Sequence, residues 1–468
     1  MPRPPAPGRA TAPPGRAGPT RDPAPPHRGG PSRDPAPPAR TPSSRGPAAT
    51  RGPVEEVVCE GVAHGGEAVG RLADGRAVFV PYAIPGERVR VRVTQSRPRF
   101  ARAELLEVLE PSPDRVAAPC PHFGPGRCGG CAWQHIRPAA QAELKARLVR
   151  EQLAHLGGLR DVPVRPTLRP ASPPGEPEGF GYRERATLTA APDGRLGFLR
   201  AGSHRVHPVD RCPLLAPGLQ ELPERLGRHP AGAKVRLRRG ADGERLVVLE
   251  AAAASKTRFP PPPELAWATV RGNGKVVSSE GQPSVTERIA GVELQVSAAS
   301  FFQVHRAGAE ALVELARAAL APAAGETMLD LYAGVGLFAA TVGAGAGKVI
   351  AVESWRPAAR DARHNLRTHP DATVLQDDVA NALRRISAAD LVLLDPPRAG
   401  AGAAVLGRVA ALRPRAVALV SCDPAALARD VRTLADLGYR ADWVQPVDLF
   451  PQTAHVEALT ALSPATTG

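Results

Sequence analysis

The chain of 468 residues has no uninterrupted apolar run of the roughly 18 residues that a membrane-spanning helix needs, so no membrane contact is expected. Its first residues carry no apolar stretch, so no secretory leader is expected and the chain is read as cytoplasmic. Lysine is scarce, five against 55 arginines. The net charge of +14 therefore reflects a composition rich in arginine as much as selection for phosphate contacts. Large apolar side chains are nearly missing from residues 1–52. That segment repeats Arg-Asp-Pro-Ala-Pro-Pro at 21–26 and 33–38, and its nine Arg against Asp22 and Asp34 hold half of the net charge. It cannot bury enough surface to offset its ordering entropy, and a disordered Pro/Arg-rich tail is expected. The rest of the chain is mildly basic, which permits an RNA partner without demonstrating one.

What is present divides the chain further. Apolar residues make up 43% of it, enough for real cores. Val54–Val58, Ala77–Pro81, Glu87–Thr94 and Ala101–Glu110 read as short strands separated by Gly-rich turns at Gly61–Gly70, Gly75 and Gly86, the pattern of a small barrel. The runs His64-Gly65-Gly66-Glu67-Ala68-Val69-Gly70-Arg71 and Val80-Pro81-Tyr82-Ala83-Ile84-Pro85-Gly86-Glu87 resemble a TRAM domain, which implies an RNA-binding barrel of the oligonucleotide-binding type over 53–111. Residues 112–295 are less regular, with a helix expected over 138–157 that packs on the C-terminal part.

Cys59, Cys120, Cys128, Cys131, Cys212 and Cys422 are the six thiols. In a reducing compartment, clustered thiols bind metals or do chemistry more often than they pair. Cys120, Cys128 and Cys131 fall within twelve residues, with Gly126, Gly129 and Gly130 free to wrap closely around a bound centre. A closed site needs a fourth thiol, and Cys212 is the best candidate. Such a set can hold zinc or an iron–sulfur cluster, and spacing alone does not separate them. The spacing is too wide for a radical enzyme of the kind that cleaves S-adenosylmethionine (SAM).

From about Ser297 strands alternate with helical patterns, which implies a mostly parallel sheet with helices on both faces. Thr327–Leu331 runs into the turn Ala333-Gly334-Val335-Gly336 and then a helix. A Gly-x-Gly is weak evidence by itself. Its surroundings strengthen it: Glu353 ends the next strand, Lys348–Val352, placed for ribose hydroxyls, and Asp378 follows the strand at 373–376, placed for an adenine amino group. Asp395 ends Leu391–Leu394 and opens Asp395-Pro396-Pro397-Arg398, and Cys422 ends Ala416–Ser421. Ligands bind at that carboxyl edge in open α/β sheets. A dinucleotide fold would need a fuller glycine motif and leaves the last two features unexplained. Cys422 sits on a strand-to-helix turn, where a helix N-terminus is expected to favour the thiolate. Glu457 starts the last strand. One thiol and one carboxylate at a SAM site suit methylation at carbon 5 of a pyrimidine, where a thiolate adds to carbon 6 and a base later removes the carbon 5 proton.

Over about 54–463 the chain resembles the RNA uridine-5-methyltransferases of bacterial tRNA and 23S rRNA. The resemblance implies an α/β multidomain protein: a TRAM barrel, a central α+β iron–sulfur domain over 112–295 and a Rossmann-like SAM methyltransferase domain over 296–468. It implies Cys422 as nucleophile and Glu457 as base. It implies SAM contacts at Gln303, Tyr332, Gly334, Gly336, Glu353 and Asp378, with Asp395 beside both SAM and the target uracil and Phe301 stacked on a base. It maps a [4Fe–4S] cluster to Cys120, Cys128, Cys131 and Cys212. The implied partner is structured RNA, with 23S rRNA favoured over tRNA because a TRAM domain is present, and a monomer is the default. Three positions depart from the family pattern: the first Cys gap is longer, Leu337 replaces a polar cofactor contact, and Asp423 stands where Asn is common. The rival readings are a cytosine-5 methyltransferase, which would carry Cys where Arg398 stands, and a catalytically silent RNA-binding protein, against which Cys422 and Glu457 argue.

Overall fold

The computed structural model describes residues 52–251 and 262–465. The tail expected over 1–52 lies outside them but for Gly52. Strands β1 (Val54–Val62), β2 (Ala68–Arg71), β3 (Ala77–Val80), β4 (Arg88–Ser96) and β5 (Phe100–Glu110) close into a barrel in the order β1-β2-β3-β5-β4. Val89, Val91 and Val93 point inward while the arginines between them face out, the two-residue period of a half-buried strand. The reading of Gly61–Gly70 as a turn missed β2. Gly70 lies inside that strand because β1 approaches closely: a Cβ there would sit 2.4 Å from both the Val57 side chain and the Val58 carbonyl. On the outer face, Arg88, Arg90 and Arg92 pair with Glu56, Glu104, Glu107 and Glu110.

Helix α1 (Pro138–His155) follows, with proline in its first turn, where no N–H is needed. It ends two residues short of the expected 157, at a turn in which Gly158 has φ +65°. The stretch after it, read as irregular, builds a seven-stranded sheet: β6 (Arg185–Ala190), β7 (Leu196–Leu199), β8 (Val206–Pro208), β9 (Lys234–Arg239), β10 (Arg245–Glu250), β11 (Ala266–Val270) and β12 (Val276–Glu280), in the order β12-β11-β10-β9-β6-β7-β8, with the short helix α2 (Leu222–Arg225) between β8 and β9. These strands hide in the sequence because they are short, and because β9 buries an arginine, Arg238, on the face where alternation leads one to expect an exposed residue. The hairpin of β13 (Ser284–Ile289) and β14 (Val292–Ser297) comes next.

The remainder alternates helix and strand: α3 (Arg306–Leu320), β15 (Thr327–Leu331), α4 (Leu337–Thr341), β16 (Lys348–Val352), α5 (Arg356–Asn365), β17 (Ala372–Leu375), α6 (Val379–Ala382), β18 (Leu391–Leu394), α7 (Ala403–Ala411), β19 (Ala416–Ser421), α8 (Pro424–Asp436), β20 (Tyr439–Val447) and β21 (Glu457–Pro464). The sheet runs β17-β16-β15-β18-β19-β21-β20. Its first five strands are parallel, and β21 runs antiparallel to both β19 and β20. Every residue of β18 and β19 is buried, the continuous apolar run of a strand covered on both faces. One apolar core covers one face and joins Leu312, Val313 and Ala316 of α3 to Val285, Ile289, Leu294 and Val296 of the hairpin and to Leu246, Val248 and Ala268 of the central sheet. Helix α1 packs on the other face, with Val149 and Leu153 in the same cluster as Leu427 and Val431 of α8. Among the described residues no helix is long and apolar enough to cross a membrane.

Candidate active site

The parallel strands bring the sequence motifs to one edge, each at the end of its strand. After β15 the backbone enters positive φ at Tyr332 (+62°), Gly334 (+56°) and Gly336 (+85°). The Gly334 N–H donates to Glu353 Oε2 at 2.9 Å, which fixes the acid at the tip of β16 against the glycine turn. A Cβ at Gly334 would meet nothing, so this turn leaves open space on one side for a ligand to approach. Asp378 is exposed beyond β17, with Oδ1 accepting the Ala380 N–H at 2.9 Å and capping α6. Leu337, the departure expected to weaken a cofactor contact, has its side chain in the apolar core. Asp330 lies within β15. It is buried, its Oδ2 accepts the Ala339 N–H at 2.9 Å, and its Oδ1 has no partner. Burial pushes its carboxyl up to about 8, the Ala339 bond opposing, with Asp395 and Glu353 adding to the rise.

The neighbouring strands carry the reactive groups. Ser421 pairs with Ala458 across β19 and β21, so Cys422 and Glu457 project from adjacent strand ends. Glu457 is buried, and burial holds its carboxyl well above the usual range; Asp395 adds to this and Arg398 opposes it. Burial raises Asp395 to about 7, and Gln303 Nε2 reaches its Oδ2 at 3.5 Å. Cys422 corrects an expectation. Its thiol is pushed up to about 11, by burial first and then by Glu457, with Arg398 opposing. The helix terminus does not dominate, because the Asp423 carboxylate already caps α8 through Ala426 N at 2.8 Å and sets a negative charge at the positive end of the dipole.

Cys422 lines a cleft of about 430 Å³ together with Arg398, Thr453 and His455, and with Gly130 and Arg183 of the central region. His455 is held neutral by burial, its pKa lowered to about 4. Phe301 lies in the loop between β14 and α3, half exposed, with the Arg185 guanidinium 4.1 Å above its ring. Burial lowers Arg185 to about 9, and the neighbouring Arg238, Arg236 and Arg183 lower it further. Asp361 and Arg238 shape this loop. One Asp361 oxygen accepts from Ser297 N, Ser297 Oγ and Ser300 Oγ, and Arg238 donates to the Ser297 and Ser300 carbonyls.

Cys120, Cys128, Cys131 and Cys212 line one small cavity beside Phe123, Phe198 and Arg183. Burial raises Cys128 to about 11 and Cys131 to about 12, and the thiols raise one another. Among the described residues no three His, Cys, Asp or Glu are set to hold a single metal ion. Cys59 is buried in the barrel core, away from this group.

The sequence missed the groups that tie these parts together. Ala132 N and Trp133 N, next to Cys131, both donate to the Gln452 carbonyl at 3.0 Å, in the loop that leads to Glu457. Gln141 of α1 bonds the Gln452 backbone and side chain at 2.9 Å each. Lys145 of α1 is fully buried against Asp448 and the Phe450 carbonyl. These partners lie about 300 residues apart in sequence, and no local pattern marks them.

Residues 48–106 match the TRAM domain family. Over 427 residues the chain is 40% identical to an uncharacterised RNA methyltransferase of Streptomyces coelicolor, covering 88% of this chain and 93% of that one. It is 35% identical to the 23S rRNA (uracil(1939)-C(5))-methyltransferase RlmD of Alkalilimnicola ehrlichii, over 86% of this chain and 95% of the relative. Among solved structures it is similar to the tRNA (uracil-54, C5)-methyltransferase of Pyrococcus abyssi in complex with S-adenosyl-L-homocysteine, with a TM-score of 0.67 and 27% identity over 87% of this chain and 99% of that one.

Proposed function

The chain belongs to the RNA uracil-5-methyltransferase family, and we propose that it methylates carbon 5 of one uridine in a structured RNA through a covalent adduct at Cys422. The observation that carries this reading is the pairing of β19 with β21, which sets a thiol and a buried carboxyl side by side. The Cys422 thiolate adds to carbon 6 of the uracil, and the electron pair moves to form an enolate that makes carbon 5 nucleophilic. Arg398 is the cation that favours the thiolate. Carbon 5 then takes the methyl group. Ionised Glu457 removes the carbon 5 proton, and the electron pair left behind expels the Cys422 sulfur. Burial makes that carboxylate a strong proton acceptor. Asp395, between the cofactor edge and Glu457, lies beside both SAM and the uracil, and Gln303, which reaches its Oδ2, belongs with the SAM contacts. The target nucleotide leaves its stack to reach Cys422, and Phe301 offers a ring for a neighbouring base.

SAM, when bound, supplies an activated methyl group. Tyr332, Gly334, Gly336, Glu353 and Asp378 fit it: an open backbone turn, and acids for its ribose and adenine. Cys120, Cys128, Cys131 and Cys212 line one cavity, a donor set that suits a [4Fe–4S] cluster or zinc, and the family resemblance favours the cluster. A cluster there would join Cys120, Cys128 and Cys131 to Cys212. Arg398, standing where cytosine enzymes carry their thiol, favours uracil. The barrel and the relative that modifies 23S rRNA favour a ribosomal target in the cytoplasm. A tRNA target is the second reading, favoured by the similarity to the tRNA enzyme. Incubation of bulk RNA with labelled SAM, then digestion, tests the reading. Label in 5-methyluridine is expected, and label in 5-methylcytidine alone overturns it.

A further inference from the structure

The barrel is bonded to the catalytic turn itself. His64, in the turn between β1 and β2, brings Nε2 to 3.0 Å from Asp423 Oδ2. Asp423 follows Cys422 directly, and its other oxygen caps α8 through Ala426 N. One carboxylate therefore fixes the Cys422 turn to its own helix and to a residue of another region, 359 positions away.

The same turn reaches the second catalytic arm. The Gly66 carbonyl accepts from Trp133 Nε1 at 2.9 Å. The Gly66 backbone lies so close to Ala454 that a Cβ at Gly66 would stand 2.4 Å from the Ala454 Cβ. Ala454 is in the loop that enters β21 at Glu457. Behind the turn, Val62 and Ile84 of the barrel join Trp133, Ile136 and Leu148 in one apolar cluster that Ala454 also touches. His64 and Gly65 are part of the wall of the cleft that holds Cys422. By contrast, Arg88, Arg90 and Arg92 on the outer face of β4 are paired with glutamates.

We propose that the His64–Gly66 turn of the barrel is part of the methylation site, with His64 a positioning residue that holds the Cys422 turn through Asp423. This rests on the reading of Cys422 as nucleophile. An exposed imidazole–carboxylate bond adds little to stability. Its effect lies in direction, since a displacement of about 1 Å at a reacting group can cost up to roughly 100-fold in rate.

The test compares the full-length wild type with His64→Ala and His64→Gln in three measurements. They are single-turnover methylation at saturating RNA, RNA affinity by filter binding, and alkylation of Cys422 by iodoacetamide without RNA, read by mass spectrometry. His64→Ala is expected to lower the turnover rate about tenfold, to leave RNA affinity within about twofold, and to alter the alkylation rate. His64→Gln, whose amide still donates to Asp423, is expected to recover most of the rate. Loss of RNA affinity with turnover and alkylation unchanged makes the turn an RNA contact only and overturns the proposal. So does wild-type behaviour of His64→Ala in all three measurements. Undiminished methylation by Cys422→Ala, run in parallel, would instead sink the reading of the nucleophile, and the proposal with it.

Discussion

Two thiol sites lie on either side of one cleft wall, and they differ in company more than in burial. Cys131 borders the cleft that Cys422 lines, and Arg183 borders both that cleft and the four-cysteine cavity. Burial raises the thiols to similar heights, about 11 at Cys422 and Cys128 and about 12 at Cys131. Around Cys422 stand Glu457, Asp395 and Arg398, an acid pair and a cation able to move a proton. Around the other four stand mainly one another and Arg183. Each site has a cation that opposes the effect of burial on its thiols, Arg398 at Cys422 and Arg183 at the cavity; what Cys422 has besides is a pair of acids.

The strongest way to break this contrast is to exchange the outcomes. Cys422→Ala is expected to abolish methylation and any covalent adduct with 5-fluorouridine RNA on a denaturing gel. Cys131→Ala is expected to keep adduct formation while losing iron from anaerobically purified protein. An adduct that survives Cys422→Ala places the nucleophile elsewhere, and zinc without iron in the wild type removes the cluster assignment.

A smaller effect sharpens the role of the acid. Glu457→Gln is expected to form the adduct and release product about 10²- to 10⁴-fold more slowly, because proton removal from carbon 5 then lacks its base. Rapid-quench kinetics would show the adduct accumulating. Normal release would leave Glu457 without this role.

The mildest effect concerns pH. A raised thiol pKa keeps Cys422 protonated over a wider range, so its alkylation rate should climb as pH rises through 9 towards 11. Arg398→Gln removes the opposing cation and should move that climb to still higher pH. A plateau reached below pH 8 would mean that the thiol is activated after all.

The edge of the parallel sheet was legible in the sequence because Glu353, Asp395 and Cys422 each directly follow an apolar run. Lys348–Val352, Leu391–Leu394 and Ala416–Ser421 are strands with the bounds read from their composition. Parallel topology then brings those ends together without long-range information. The central sheet was not legible, since its strands are short and β9 buries Arg238. β2 was lost to Gly70, whose role is close approach and not a turn. The Cys422 pKa had the wrong sign because burial and the charge of Glu457 arise only when β19 and β21 pair. Gln141 and Lys145 carry no local signal, and His64, though part of the barrel's motif, has no local signal for its bond to Asp423, because their partners stand hundreds of residues away.

The shared core between the β13–β14 hairpin and α3 bears on how such a chain can be divided. A cut near Ser297 would remove Val285, Ile289, Leu294 and Val296 from the apolar core they share with α3. The methyltransferase half is thus not a portable module, and its smallest self-sufficient unit reaches back at least through the hairpin. The barrel, with an apolar interior of its own, is the piece that gene rearrangement could move intact.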